Sequence, residues 1–198
     1  MTAPEVRLAT PIDREQVIDT VVAAFVADLA FRFFFPADAT YADQAGAFAA
    51  YLFDKRVRHG TVWVIDGGAS VSMWNPPSTP AGEPAAGGDP APPGPALGVP
   101  SDTRARIDVY EAAVHTALPA EPHWYLGVLA THPDSAGRQW GRRVMAAGLD
   151  RAEASGLPAY LETSSQSNVD LYGRAGWELA ETVAVASLAV HVMRHATP

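Results

Sequence analysis

The chain has 198 residues, 48% of them hydrophobic, with a formal net charge of -8 and no cysteine. That length and composition suffice for one sizeable core, so a single domain over residues 1–198 is expected. The acidic balance argues against a nucleic-acid partner, whose phosphates it would repel, and mildly favours a cationic small substrate. Without cysteine there are no disulfides, thiol nucleophiles or thiolate metal sites, which fits a reducing cytoplasm. The N-terminus lacks the basic start and apolar run of a signal peptide. The most apolar segment, 17–35, contains Asp19, Asp28 and Arg32, too interrupted to span a membrane. A cytoplasmic protein is expected.

In chain order, 6–9 reads as a short first strand. Thr10 then caps a helix with Pro11 in its first turn. Val17, Val21, Phe25 and Leu29 recur at helical spacing and form one apolar stripe, broken over 31–36, where Pro36 ends the helix. A second helix is expected over 41–58. Strands at 61–66 and 70–74 flank the hairpin signal Asp66-Gly67-Gly68. Pro, Gly and Ala dominate 75–100, which reads as a flexible surface loop. Ser101, Asp102 and Thr103 cap a helix with the apolar face Ile107, Tyr110, Val114 and Leu118, stopped by Pro119. A strand follows over 123–131, and a helix over 137–155 ends at Gly156. The chain closes with a strand at 159–163, a short helix at 169–175 ended by Gly176, and two antiparallel strands at 177–182 and 186–194. The order β-α-α-β-β-α-β-α-β-α-β-β specifies an α/β (α+β mixed) architecture, one mixed sheet flanked by helices.

Two constellations carry chemistry. In the first, an apolar strand runs through a glycine-containing turn, Pro133 to Gly141, into a helix. Unpaired backbone N–H groups point outward at such a helix start and suit a pyrophosphate. Arg138, Arg142 and Arg143 oppose the helix dipole there, a cost that an anion relieves. The plain alternative is a connection with solvated arginines. In the second, Glu162 stands near the end of a buried-looking strand, and Asn168 and Tyr172, four apart, share one helix face. A carboxylate there suits a general base and a tyrosine a general acid. A glutamate paired with arginine and a tyrosine packed in the core are the structural alternatives. The histidines fit no zinc-ligand spacing, so no metal is expected.

Taken together, residues 123–177 resemble the GNAT N-acetyltransferases. Trp124-Tyr125-Leu126 through His132-Pro133 is similar to that family's acetyl-CoA strand, Ala136 to Gly141 to its pyrophosphate loop, and Asn168 to Trp177 to its ending. Residues 6–10, 62–64 and 158–164 resemble more closely the puromycin N-acetyltransferase branch and its actinobacterial relatives. The resemblance implies a GNAT-like fold with a sheet of about seven strands. It also implies acetyl-CoA as co-substrate and a small-molecule amine as acceptor. Leu129, Ala130 and Thr131 correspond to the strand that pairs with the pantetheine arm. Gly137, Arg138, Gln139, Trp140, Gly141 and Arg142 correspond to the pyrophosphate loop, and Asn168 to a CoA contact. Tyr172 corresponds to the acid that protonates the departing thiolate, and Glu162 to the general base. Many relatives dimerise, so a homodimer is one expected assembly.

The family's loop is Gln or Arg, two residues, Gly, one residue, then Gly or Ala. This chain has Ala136, Gln139 and Gly141 at those positions. Two further readings therefore stand beside the enzyme: a catalytically degenerate CoA-binding or sensing protein, and a protein N-acetyltransferase that uses 75–100 to hold its partner. Phe31, Phe33, Phe34 and Phe35 are candidates for a wall of the acceptor site, with core packing as the alternative.

Overall fold

The computed structural model describes residues 4–77 and 96–196. Most of the expected loop at 75–100 lies outside them. Seven strands form one mixed sheet: β1 (Arg7–Leu8), β2 (Val62–Ile65), β3 (Ser70–Asn75), β4 (Trp124–Thr131), β5 (Ala159–Thr163), β6 (Glu178–Val185) and β7 (Leu188–His195). Their order across the sheet is β1-β2-β3-β4-β5-β7-β6. Every neighbouring pair is antiparallel except β4 and β5. The expected hairpin at Asp66-Gly67-Gly68 joins β2 to β3, and β6 and β7 are antiparallel neighbours as expected.

Among the described residues six α-helices cover the sheet: α1 (Arg14–Ala24), α2 (Leu29–Phe34), α3 (Asp38–Val57), α4 (Ser101–Ala117), α5 (Trp140–Ala154) and α6 (Gln166–Gly173). One apolar core, with Val17, Val21, Phe48 and Ile107, lies under α1 to α4. The other, with Trp74, Trp140, Val144 and Leu161, lies under α5 on the opposite face.

Several boundaries differ from the sequence expectation, three of them with a clear local cause. The stripe from Val17 to Leu29 is not one helix. α1 stops at Ala24, and Asp28 opens a new short helix by accepting the Phe31 amide at 3.0 Å. Local capping of this kind overrides the periodicity, leaving Leu29 exposed and Phe31 helical and buried. Residues 137–139 form a turn, so α5 begins at Trp140. Ser101, Asp102 and Thr103 are the first turn of α4, and Pro100 occupies the cap position.

The packing of α5 on the sheet is close. A Cβ added at Gly148 would lie 2.1 Å from the Trp74 ring. Trp74 is fully buried, so neither partner has room to yield. Among the described residues no helix is long and apolar enough to cross a membrane. Gly148→Ala is expected to destabilise the fold by about 1–3 kcal/mol, as overpacking does. Urea denaturation checks this, and an unchanged midpoint would contradict the close contact.

Candidate active site

β4 and β5 run side by side only from Trp124↔Ala159 to Leu126↔Leu161. Beyond Leu126, β4 continues to Thr131 without a partner on that edge among the described residues. The register against β3 also slips here, because Trp74 pairs with Leu126 while Met73 pairs with Val128. Gly127 is thus the extra residue of a bulge, which re-aims the side chains that follow. Trp124 and Leu126 point into the core under α5, whereas Val128 and Ala130 point into the core under α1 to α4.

The gap opens onto a cavity of about 1020 Å³. Glu162, Tyr125 and Arg56 line its floor, Asn168 and Tyr172 face it from α6, and Tyr110 and Glu111 face it from α4. The Tyr125 hydroxyl donates to Glu162 Oε2. Asn168 Nδ2 donates to Thr163 Oγ1 at 3.2 Å, tying the start of α6 to the end of β5. The Tyr172 ring packs 6.2 Å from that of Trp177.

Burial in the cavity wall perturbs Glu162, Tyr172 and Tyr125. Glu162 lies in the cavity wall, and desolvation there pushes its carboxyl up to about 7. The bond from Tyr125 and the charge of Arg56 pull it partly back, while Glu111 adds to the rise. Burial raises the Tyr172 phenol to about 12, with the Glu162 charge contributing. Tyr125 is raised well above its ordinary value, first by burial and then by Glu162, so it stays protonated and donates.

Further along β4, Leu129 lines the cavity, and Ser70 Oγ binds the Ala130 carbonyl at 3.2 Å and Thr131 Oγ1 at 2.8 Å. The turn that follows has two left-handed residues, Gly137 at φ 77° and Gln139 at φ 59°. Gln139 caps α5 in the backbone conformation that glycine adopts most easily, and its side chain is exposed. The first amides of α5, from Trp140 to Arg142, precede the first intrahelical bond, Arg143 N to Gln139 O at 3.3 Å. Gly141 packs against Thr131 Oγ1, 3.2 Å from where a Cβ would stand. Arg138 stacks over the buried Trp140 ring at 4.9 Å, and Arg143 binds the Pro4 carbonyl at 2.9 Å. Arg142 is exposed.

The sequence candidates therefore occupy two places. Glu162, Asn168, Tyr172 and Leu129 meet around the cavity, whereas Gly137 to Arg142 lie at the far end of β4, outside its lining. The Trp140 side chain is buried in the core, so its part in the turn is its amide. Of the four phenylalanines, Phe31 and Phe34 line the cavity, and Phe35, 1% exposed, belongs to the core. Sequence reasoning missed Tyr125 and Arg56. A lone glycine inside a strand signals a bulge, so Gly127 could have pointed to Tyr125. Arg56, beside Lys55 in the last turn of α3, carries the pattern of an ordinary solvated helix terminus.

Comparison with known proteins agrees with this fold. The acetyltransferase (GNAT) family model matches residues 102–177. A solved structure of a histone acetyltransferase HPA2 and related acetyltransferase from Corynebacterium glutamicum is 20% identical. It covers 100% of this chain and 98% of its own, with a TM-score of 0.71. An agmatine N-acetyltransferase, 16% identical, covers 98% of this chain and 99% of its own, with a TM-score of 0.67. A Drosophila melanogaster polyamine N-acetyltransferase, also 16% identical, covers 96% of this chain and 98% of its own, with a TM-score of 0.66. The chain has the GNAT fold, a mixed seven-stranded sheet with flanking helices. The family match is confined to 102–177, and the likeness to solved structures over the whole chain is one of fold.

Because the folded protein raises Glu162 from an ordinary 4.5 to about 7, it holds a proton there that the unfolded chain has already released. Stability from this group is thus lost as pH rises through that window. Glu162→Gln is expected to raise the thermal midpoint relative to wild type at pH 8 and to change it little at pH 4. An equal effect at both pH values, read by calorimetry, would contradict a raised Glu162.

Proposed function

We propose that the protein transfers the acetyl group of acetyl-CoA to the primary amine of a small molecule by direct attack. The observation that carries this reading is the meeting of Glu162 and Tyr172 in one cavity beside the unpaired edge of β4. That edge suits an extended amide-containing arm, and the first amides of α5 beyond it suit a pyrophosphate. Similarity to N-acetyltransferases of agmatine and polyamines agrees with a small amine as acceptor. The finer likeness to the puromycin-type branch rests on residues 6–10, 62–64 and 158–164 and is part of this proposal.

An alkylamine has a pKa of about 10 and arrives protonated, so it cannot attack a thioester until the proton is removed. Glu162 takes that proton, directly or through a water. A base with a pKa near 7 is matched to work near neutral pH. Backbone N–H groups at the β4 bulge steady the carbonyl oxygen as the amine adds. Tyr172, protonated at neutral pH, gives its proton to the departing sulfur. In this role Tyr172 is regenerated from solvent, and no covalent bond to the protein forms.

Gln139 is the residue on which a CoA-binding protein without turnover would turn. Gln139 has the left-handed backbone that glycine adopts most easily and is exposed, which supports a turn still able to receive a ligand. Tyr172→Phe is expected to lower kcat by about 100-fold, the lower end for a lost general acid, while acetyl-CoA affinity survives. Glu162→Gln should remove the acid limb of the kcat/KM profile. Steady-state kinetics with calorimetric binding checks both, and an unchanged kcat in Tyr172→Phe would remove it from the acid role.

A further inference from the structure

Arg56 is buried, 5% exposed, near the end of α3. Its Nη1 donates to the Leu52 carbonyl at 3.1 Å, and its Nε has no partner among the described residues. No ion pair joins it to a carboxylate among those residues. Burying an unpaired guanidinium is costly, and the α3 dipole offsets only part of that cost. The place it occupies is nevertheless shaped for it. Its Nη2 sits in the notch of the β4 bulge, 2.7 Å from where a Cβ on Gly127 would stand. The Tyr125 ring closes the same notch, at 3.4 Å from that point, and its hydroxyl holds Glu162.

We propose that Arg56 is a positioning residue for Glu162: its guanidinium, seated in the Gly127 notch, supplies the counter-charge that keeps the Glu162 carboxylate available as a base. This inference rests on Glu162 acting as the base of the acetyl transfer. The groups that face Glu162 are Tyr125 from β4, Arg56 from α3, Tyr110 and Glu111 from α4, and Tyr172 from α6. Opposite it on β7 stands Val192, which carries no charge. Tyr125 donates a hydrogen bond, Glu111 repels, and Tyr110 and Tyr172 are neutral. Arg56 is the cation among them. Lys55 also lines the cavity, but its ammonium lies over the Tyr51 ring, 6.0 Å from the centroid. The Arg56 charge favours the ionised carboxyl, alongside the stronger hydrogen bond from Tyr125. Gly127 has a second role in this account, because any side chain there would displace the guanidinium.

The test is a pH titration of carboxyl-13C glutamate in the free protein by NMR, with the Glu162 signal identified by its loss in Glu162→Gln. Wild type is expected to titrate near pH 7. Arg56→Met and Arg56→Gln should move the midpoint up by about one pH unit, a tenfold weaker acid, as loss of a nearby opposite charge does. Arg56→Lys keeps a charge and should stay close to wild type. The acid limb of kcat/KM should move with the NMR midpoint. An uncharged variant that folds, by near-ultraviolet circular dichroism, and titrates like wild type would overturn the proposal. If neither uncharged variant folds, Arg56→Lys decides, because a midpoint raised as far as a full charge loss predicts would overturn it too. A wild-type Glu162 titrating near its ordinary value would instead defeat the assignment of Glu162 as base.

Discussion

The extra residue at Gly127 is the constraint on which the site depends. In an unbroken strand Tyr125, Gly127 and Leu129 would share one face and Leu126, Val128 and Ala130 the other. The bulge breaks that alternation, so β4 serves the α5 core at its start and the α1–α4 core at its end. At the same place its parallel partner β5 ceases to pair. This backbone irregularity coincides with the unpaired strand edge, while Tyr125, just before it, faces Glu162 by the ordinary alternation of the β4–β5 ladder. The bulge also opens a notch that admits the Arg56 guanidinium. A bare strand edge is ordinarily a liability, and its retention beside a cavity fits an edge that pairs with a ligand.

The electrostatics follow from that geometry. Glu162 is poised between burial, which disfavours its charge, and two neighbours that favour it. Tyr125 contributes a hydrogen bond and Arg56 a charge, and neither acts at full strength unless the cavity excludes bulk water. The Phe34 and Tyr110 rings of α2 and α4 meet edge to face at 5.0 Å and give that cavity an apolar wall. The Phe31 and Phe34 side chains are therefore at once core and wall.

Much of the scaffold was legible because it is written in local signals. The β2–β3 hairpin follows from Asp66-Gly67-Gly68, the buried face of α4 from Ile107, Tyr110 and Val114, and β5 from a compact apolar run whose observed limits match the expected ones. Asn168 and Tyr172 share a helix face because they are four apart, and they do face the cavity together. The reading failed where a side chain or a tertiary contact overrode periodicity. Asp28 restarted a helix inside an apparently continuous stripe, and the left-handed Gln139 delayed the start of α5. Arg56 was illegible in principle, because its sequence neighbours describe a helix end and only the chain 71 positions later supplies its notch.

The central claim is that the unpaired β4 edge and the first amides of α5 hold acetyl-CoA so that an amine attacks it within the cavity. Calorimetric titration of the protein with acetyl-CoA, followed by a thiol-release assay against a panel of small amines, tests it most directly. The account predicts saturable one-site binding and thiol release that depends on the amine and is lost in Glu162→Gln. Absence of acetyl-CoA binding would contradict it, and binding without amine-dependent release would leave the fold as a CoA receptor and remove the catalytic roles of Glu162 and Tyr172.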